Sequence, residues 1–213
     1  DKSNLCKSLK VDRIEFLLQK KLTFYKFTFF MSIKSMFLEM SIEAENQTID
    51  LVIFIAGFAR AKNAKDLTVE DWEEHTRKNL IYVALGLESI KSSLVKSTNP
   101  KIVTIGSQWS YKIGAYELVP YTITKHAVDT LTKDFAARNT NIKANHYCVP
   151  TMDTPQYIKV QESFSSIGKN YPVKDVAISK EVAKSIIDHV TRYEKSGSTL
   201  VVDKISYIIS ENI

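Results

Sequence analysis

The sequence predicts an α/β fold, a doubly wound and mostly parallel sheet with helices on both faces. Three observations predict it. Short continuous apolar runs, such as Leu51-Val52-Ile53-Phe54-Ile55 and Ile102-Val103-Thr104-Ile105, have the character of strands buried on both sides. Longer stretches with helical spacing separate them. The two kinds alternate along the chain, and parallel strands joined by helical crossovers are what such alternation builds.

The elements follow in order. Leu22–Phe30 is rich in aromatic residues and threonine, as strands are. Ser35–Ala44 follows it with Met36, Phe37 and Met40 at helical spacing. Asp50–Ile55 is the next strand and ends at Ala56-Gly57. Thr68 is placed as the N-cap of a long helix to Leu94, with Glu70, Asp71 and Glu73 loading its first turns. Lys101–Gly106 is a buried strand leading directly to Ser107. A loop with Gly114 and Pro120 precedes a helix from Tyr121 to Arg138. Ile142–Val149 is a strand stopped by Pro150, Ser179–Tyr193 an N-capped helix, and Thr199–Val202 the last strand. With no repeat, low-complexity tract or linker between them, residues 1–213 are expected to form a single domain.

Composition excludes several classes. At 44% hydrophobic and 25% charged residues the chain falls in the globular range, not the disordered one. The net charge of +5 comes from lysines scattered along the chain, whereas a nucleic-acid binder gathers them into a stripe. The four histidines, His75, His126, His146 and His189, show no ligand spacing, so no metal is expected. Cys6 and Cys148 lie far apart and form no disulfide framework, which agrees with a reducing, cytoplasmic compartment. The most apolar stretch, Phe24–Ile33, is cut by Lys26 and closed by Lys34. It is too short for a membrane span of about twenty residues, and it lacks a signal-peptide cleavage pattern.

Ligands of such sheets sit beyond the carboxyl ends of the strands, and the chemically suggestive residues gather there. Ser107 follows one strand, Pro150-Thr151-Met152-Asp153-Thr154 another, and Ala56-Gly57 a third. Gly57 lets a ligand approach the backbone closely. Tyr121 and Lys125 are spaced i, i+4 and share one helix face. A tyrosine hydroxyl is a poor acid-base at neutral pH, and an ammonium one turn away lowers its pKa. A serine hydroxyl opposite can hold the same substrate oxygen. The set suits proton transfer to a carbonyl or alkoxide oxygen. Tyr-x-x-x-Lys by itself is a common pairing on exposed helices; the order of strand, Ser107, loop, Tyr121 and Lys125 is what gives it meaning.

From about Leu22 to Asp203 the sequence resembles the short-chain dehydrogenase/reductase family. Asp50–Gly57 ("DLVIFIAG") is similar to the family's strand and Asn-Asn-Ala-Gly turn, and Leu67–Gly86 ("LTVEDWEEHTRKNLIYVALG") to its long helix with an embedded asparagine, here Asn79. Lys101–Ser107 ("KIVTIGS") resembles the catalytic-serine strand, and Tyr121–Lys125 ("YTITK") carries the signature. Ile142–Pro150 ("IKANHYCVP") resembles the strand before the nicotinamide-side loop, and Gly197–Asp203 ("GSTLVVD") the closing strand.

The resemblance implies a Rossmann-like fold and an oxidoreductase that interconverts a small-molecule carbonyl and alcohol with NAD or NADP. By position, Tyr121 would be the general acid, Lys125 would lower its pKa and bind the nicotinamide ribose, Ser107 would orient the carbonyl, and Asn79 would hold a water in a proton relay. Pro150, Thr151 and Thr154 would lie beside the nicotinamide and its phosphates, Ala56 and Gly57 beside the adenosine ribose, and Gln108 and Trp109 in the substrate pocket. A homo-oligomer built through the long helices is also implied.

The departures are specific. The family opens with a strand, a glycine-rich turn and a helix that receives the pyrophosphate, yet the first glycine of this sequence is Gly57. The N-terminal strand and helix are therefore expected to be missing or altered, with residues 1–49 divergent and 50–203 the best match. Thr151 stands where the family loop has glycine, and Lys204-Ile205 where a glycine pair closes the last strand. The alternative is a catalytically silent relative that has lost its cofactor and serves as a binding or assembly protein. For the missing central strand, a replacement by the N-terminal segment, a dimer, and a fragment of a longer product all stand open.

Overall fold

A computed structural model of the chain describes residues 48–111, 116–173 and 175–211. The elements expected at Leu22–Phe30 and Ser35–Ala44, and the loop around Gly114, lie outside these residues. The described elements are β1 (Leu51–Phe54), α1 (Val69–His75), a π-helical segment (Thr76–Ile81), α2 (Tyr82–Leu94), β2 (Lys101–Ser107), α3 (Val119–Arg138), β3 (Lys143–Val149), α4 (Pro155–Ser166), α5 (Ser179–Val190), β4 (Thr199–Val202) and β5 (Ile209–Glu211). The sheet runs β1-β2-β3-β4-β5. Its first four strands are parallel and β5 is antiparallel, so the expected α/β architecture, mostly parallel, is what the chain forms.

Side chains alternate across the strands and build one core on each face. On the first face Ile102, Ala144 and Phe54 pack with Val83, Leu87, Ile90 and Leu94 of α2 and with Val128 and Phe135 of α3. The α2 residues recur at i, i+4, i+7 and i+11, one stripe of a 3.6-residue period. Each such side chain, almost fully buried, contributes roughly 2 kcal/mol relative to exposure. On the second face Val103, Tyr147, Val149 and Leu200 pack against Val182, Ile186 and Val190 of α5.

Local chemistry fixes the ends. Thr68 caps α1 in a capping box with Asp71, as its position suggests. Helix α3 starts at Val119, with Pro120 inside its first turn where a missing N–H costs nothing. Ser179 is not the N-cap of α5; Ile178 is, without a side-chain bond, and the Asp153 carboxylate accepts the Ser179 N–H at 2.6 Å instead. At the other end of α5 the buried Lys101 ammonium donates to the carbonyls of Val190, Thr191 and Tyr193 and to Glu194, which satisfies the last carbonyls of the helix.

Candidate active site

The ends of β1, β2 and β3 and the first two turns of α3 meet at one place. Lys125 is buried, and its Nζ donates to the Ile105 carbonyl of β2 at 2.8 Å. A Cβ placed on Gly57 would lie 3.0 Å from that Nζ and 3.6 Å from Asn79 Oδ1. Gly57, Asn79 and Lys125 therefore converge, and a side chain at 57 would crowd the ammonium. Ser107 ends β2, is buried, and accepts the Trp109 backbone N–H at 3.2 Å. The half-buried Tyr121 shares a hydrogen bond with the Ser107 side chain.

Asn79 sits in the π-helical segment, fully buried. Its Oδ1 accepts the Phe58 N–H at 2.7 Å, while its Nδ2 donates to the Phe58 carbonyl at 2.9 Å and to Thr124 Oγ1 at 3.0 Å. Both amide donors are engaged, so only a lone pair of Oδ1 faces Gly57 and Lys125. The asparagine ties the β1 turn to α3. Thr124, unflagged by the sequence, completes this tie and bonds back to the Pro120 carbonyl at 2.7 Å.

Electrostatics differs from the expectation for Tyr121. Burial pushes the phenol up to about 12, against a smaller downward pull from Ser107. Burial also brings Lys125 down to about 8. The phenol therefore lies above its ordinary value, because burial is the largest influence on it, while the Lys125 ammonium is engaged with the Ile105 carbonyl.

The other residues divide into two groups. Tyr121, Trp109 and Tyr171 pack against Val160 and Phe164 of α4 and against Leu118. The Trp109 and Tyr171 rings stack with centroids 5.8 Å apart, and Thr151 Oγ1 accepts Trp109 Nε1–H at 3.2 Å and lies 3.3 Å from the Tyr171 hydroxyl. Beside this cluster a cavity of about 400 Å³ is lined by Gln108, Trp109, Pro150, Thr151, Lys204 and neighbours. Gln108 donates to the Val202 carbonyl at 2.7 Å. The Thr154 hydroxyl caps α4 by accepting Tyr157 N–H at 3.3 Å, and the Ala56 carbonyl accepts the Tyr82 hydroxyl at 2.6 Å. The structure thus unites Gly57, Asn79, Ser107, Tyr121 and Lys125; it sets Gln108, Trp109, Pro150 and Thr151 around the adjoining cavity; and it engages Thr154 and Ala56 in local bonds. Tyr171 and the α4 cover were missed, since a lone aromatic after a helix carries no sequence signal.

A nicotinamide dinucleotide fits one end of this site. The bare Gly57 beside a buried ammonium with donors to spare matches a ribose, and the hydroxyl pair matches a carbonyl. Among the described residues no helix is long and apolar enough to cross a membrane, and no group of three or more His, Cys, Asp or Glu could hold a metal ion.

Known proteins agree with this architecture. The chain is 36% identical over 93 residues to 2-dehydro-3-deoxy-D-gluconate 5-dehydrogenase of Bacillus subtilis, covering 43% of this chain and 36% of that protein. The chain spans about half the length, or less, of the curated relatives it matches. Among solved structures it is similar to actinorhodin polyketide ketoreductase with NADPH, at a TM-score of 0.70 and 20% identity, covering 81% of this chain and 73% of that one. It is also similar to a gluconate 5-dehydrogenase from Burkholderia cenocepacia in complex with NADP and tartrate, at a TM-score of 0.63 and 23% identity, covering 81% and 69%. The short chain dehydrogenase family matches residues 26–163, more than half of the sequence, and the chain belongs to that oxidoreductase family.

Proposed function

We propose that the chain is an NAD(P)-dependent oxidoreductase that interconverts a small-molecule carbonyl and its alcohol at Ser107, Tyr121, Lys125 and Asn79. The observation that carries this reading is the buried Lys125 ammonium held beside the bare Gly57, one helical turn from a tyrosine bonded to Ser107. The cofactor supplies a hydride when bound. Ser107 and Tyr121 hydrogen-bond the carbonyl oxygen, and Tyr121 passes its proton to that oxygen as the alcohol forms. A phenol at about 12 stays protonated at neutral pH, which suits the reducing direction. Lys125 stabilises the phenolate left behind and would hold the nicotinamide ribose, with Pro150, Thr151 and Thr154 on the nicotinamide side and Ala56 and Gly57 on the adenosine side. Asn79 holds the Gly57 turn against α3 and offers its remaining lone pair to a relay water. Gln108 and Trp109 line the substrate cavity. A cytoplasmic setting and a homo-oligomer belong to the same reading; exposed Ile81 and Leu85, one turn apart on the long helix, support the latter.

Titration with NADH and with NADPH, followed by nicotinamide fluorescence and melting temperature, tests the reading. Saturable binding that weakens in Lys125→Ala supports it and chooses between the two cofactors. A folded protein that binds neither at millimolar concentration overturns it. Thr151 and Lys204-Ile205, which stand where the family has glycines, favour one second reading, a catalytically silent relative that acts by binding a partner. That outcome would point to it.

A further inference from the structure

The buried His146 belongs to none of the roles above. It stands on β3 opposite Thr104 of β2, fully buried. Its Nδ1 lies 2.8 Å from Thr104 Oγ1, and Thr104 Oγ1 lies 2.8 Å from Thr132 Oγ1 of α3. Thr132 donates its only hydroxyl proton to the Val128 carbonyl at 2.6 Å. Thr104 must then donate to Thr132, and so it accepts from His146. The proton therefore sits on Nδ1, and Nε2, which has no hydrogen-bond partner, is a bare lone pair. The nearest titratable groups are Asp129, Lys125, Lys133 and His126; burial outweighs the attraction of Asp129 and keeps the ring neutral.

The ring fills the space over Gly106. A Cβ at 106 would overlap Nε2 and lie 2.5 Å from Cε1 and 3.0 Å from Cδ2. Gly106 joins Ile105, whose carbonyl anchors Lys125, to Ser107, which bonds Tyr121. One ring thus touches the backbone between the two anchors and is bolted through two threonines to the helix that carries Tyr121 and Lys125.

We propose that His146 is a positioning residue: locked on Thr104 and Thr132, its ring seats on Gly106 and sets the spacing of Ser107 and Lys125 on β2 against Tyr121 on α3. The proposal rests on the reductase reading of the site, and three measurements separate the two. First, long-range ¹H–¹⁵N NMR reads the tautomer whatever the activity. The Nδ1–H form is expected, and an Nε2–H form overturns the bonding scheme. Second, His146→Asn keeps a donor near Nδ1 and removes the ring from Gly106. A fall in kcat of tenfold or more with cofactor binding within threefold is expected; an unchanged kcat, even with a lowered melting temperature, overturns the proposal. Gly106→Ala should be impaired at least as much and recover in the Gly106→Ala, His146→Ala double variant, where the added methyl has room. Absence of any recovery in a folded double variant counts against it, as does a folded, fully active Gly106→Ala. Third, if the wild type turns nothing over, it is the reductase reading that fails. The proposal is then decided by the titration of Lys125, followed through a ¹³Cε label: its midpoint moves in His146→Asn if the ring holds the anchor, and an unmoved midpoint overturns the proposal.

Discussion

Lys125 is held at a cost that can be read in two ways. Its pKa falls from 10.5 to about 8 because burial penalises the charge, and a change of that size corresponds to about 3 kcal/mol at pH 7. Between pH 8 and 10.5 the unfolded chain binds more protons than the folded one, so stability attributable to this residue rises with pH there and is lost as pH falls through 8. Lys125→Met removes the penalty and forfeits the bond to Ile105. We expect it to raise stability at pH 7 by about 2 kcal/mol, with the gain fading toward pH 10.5, and to abolish turnover. Urea denaturation at several pH values checks the first part and a carbonyl-reduction assay the second. In the reductase reading the same residue sets a pH profile. Reduction needs Tyr121 protonated, which holds up to about 12, and Lys125 charged, which holds up to about 8. The reduction rate should be flat below pH 8 and fall above it, while oxidation, which needs the phenolate, rises with pH. A reduction rate that climbs through pH 9 would contradict these assignments.

At the scale of elements, the helix from Val69 to Leu94 is one rod with a π-helical segment set into it, and such insertions turn a side chain off the regular stripe, often at functional sites. Here that side chain is Asn79. Asn79→Ala leaves the Phe58 N–H and carbonyl without their partners, and we expect a loss of about 2 kcal/mol, measured by thermal melting, with weakened cofactor binding as the Gly57 turn loosens. This segment also marks where sequence reading stops. Strands β1 to β4 and helices α2, α3 and α5 were legible because each buries a regular set of apolar side chains. Helix α4 was not: it buries only Val160 and Phe164, too few to show a period. Strand β5 is three residues long and half exposed, so its pairing with β4, not its own pattern, defines it. A one-residue change of helical register has no side-chain signature either. In the site, Tyr121, Lys125 and Ser107 were legible through spacing and order. Ile105 was invisible because it acts through its carbonyl, and the fit of His146 to Gly106 joins positions forty residues apart.

For the whole molecule, the faces left apolar matter most. Ile81 and Leu85 are 40% and 45% exposed and Ile123 is 51% exposed, on the long helix and on α3. In the oligomeric reading these surfaces meet another copy. Leu85→Glu should convert the assembly to monomers in sedimentation velocity with little change in the fold, because the side chain is exposed; a wild type that sediments as a monomer at all concentrations removes that reading. Across β1, the only described neighbour is β2, and the half-buried Leu51, Val52 and Ile53 give that edge a largely apolar character. At the carboxyl ends of the strands, Trp109 rests where β2, the segment after β3 and the cover from α4 to Tyr171 come together. The chain has two tryptophans, and the other, Trp72, lies away on α1. With Trp72→Phe the indole emission comes from Trp109 alone, and in the reductase reading a reduced nicotinamide seated alongside would take up its energy. The molecule thus carries its own lamp beside the cavity, and the colour and decay of that light report what enters it without any added label.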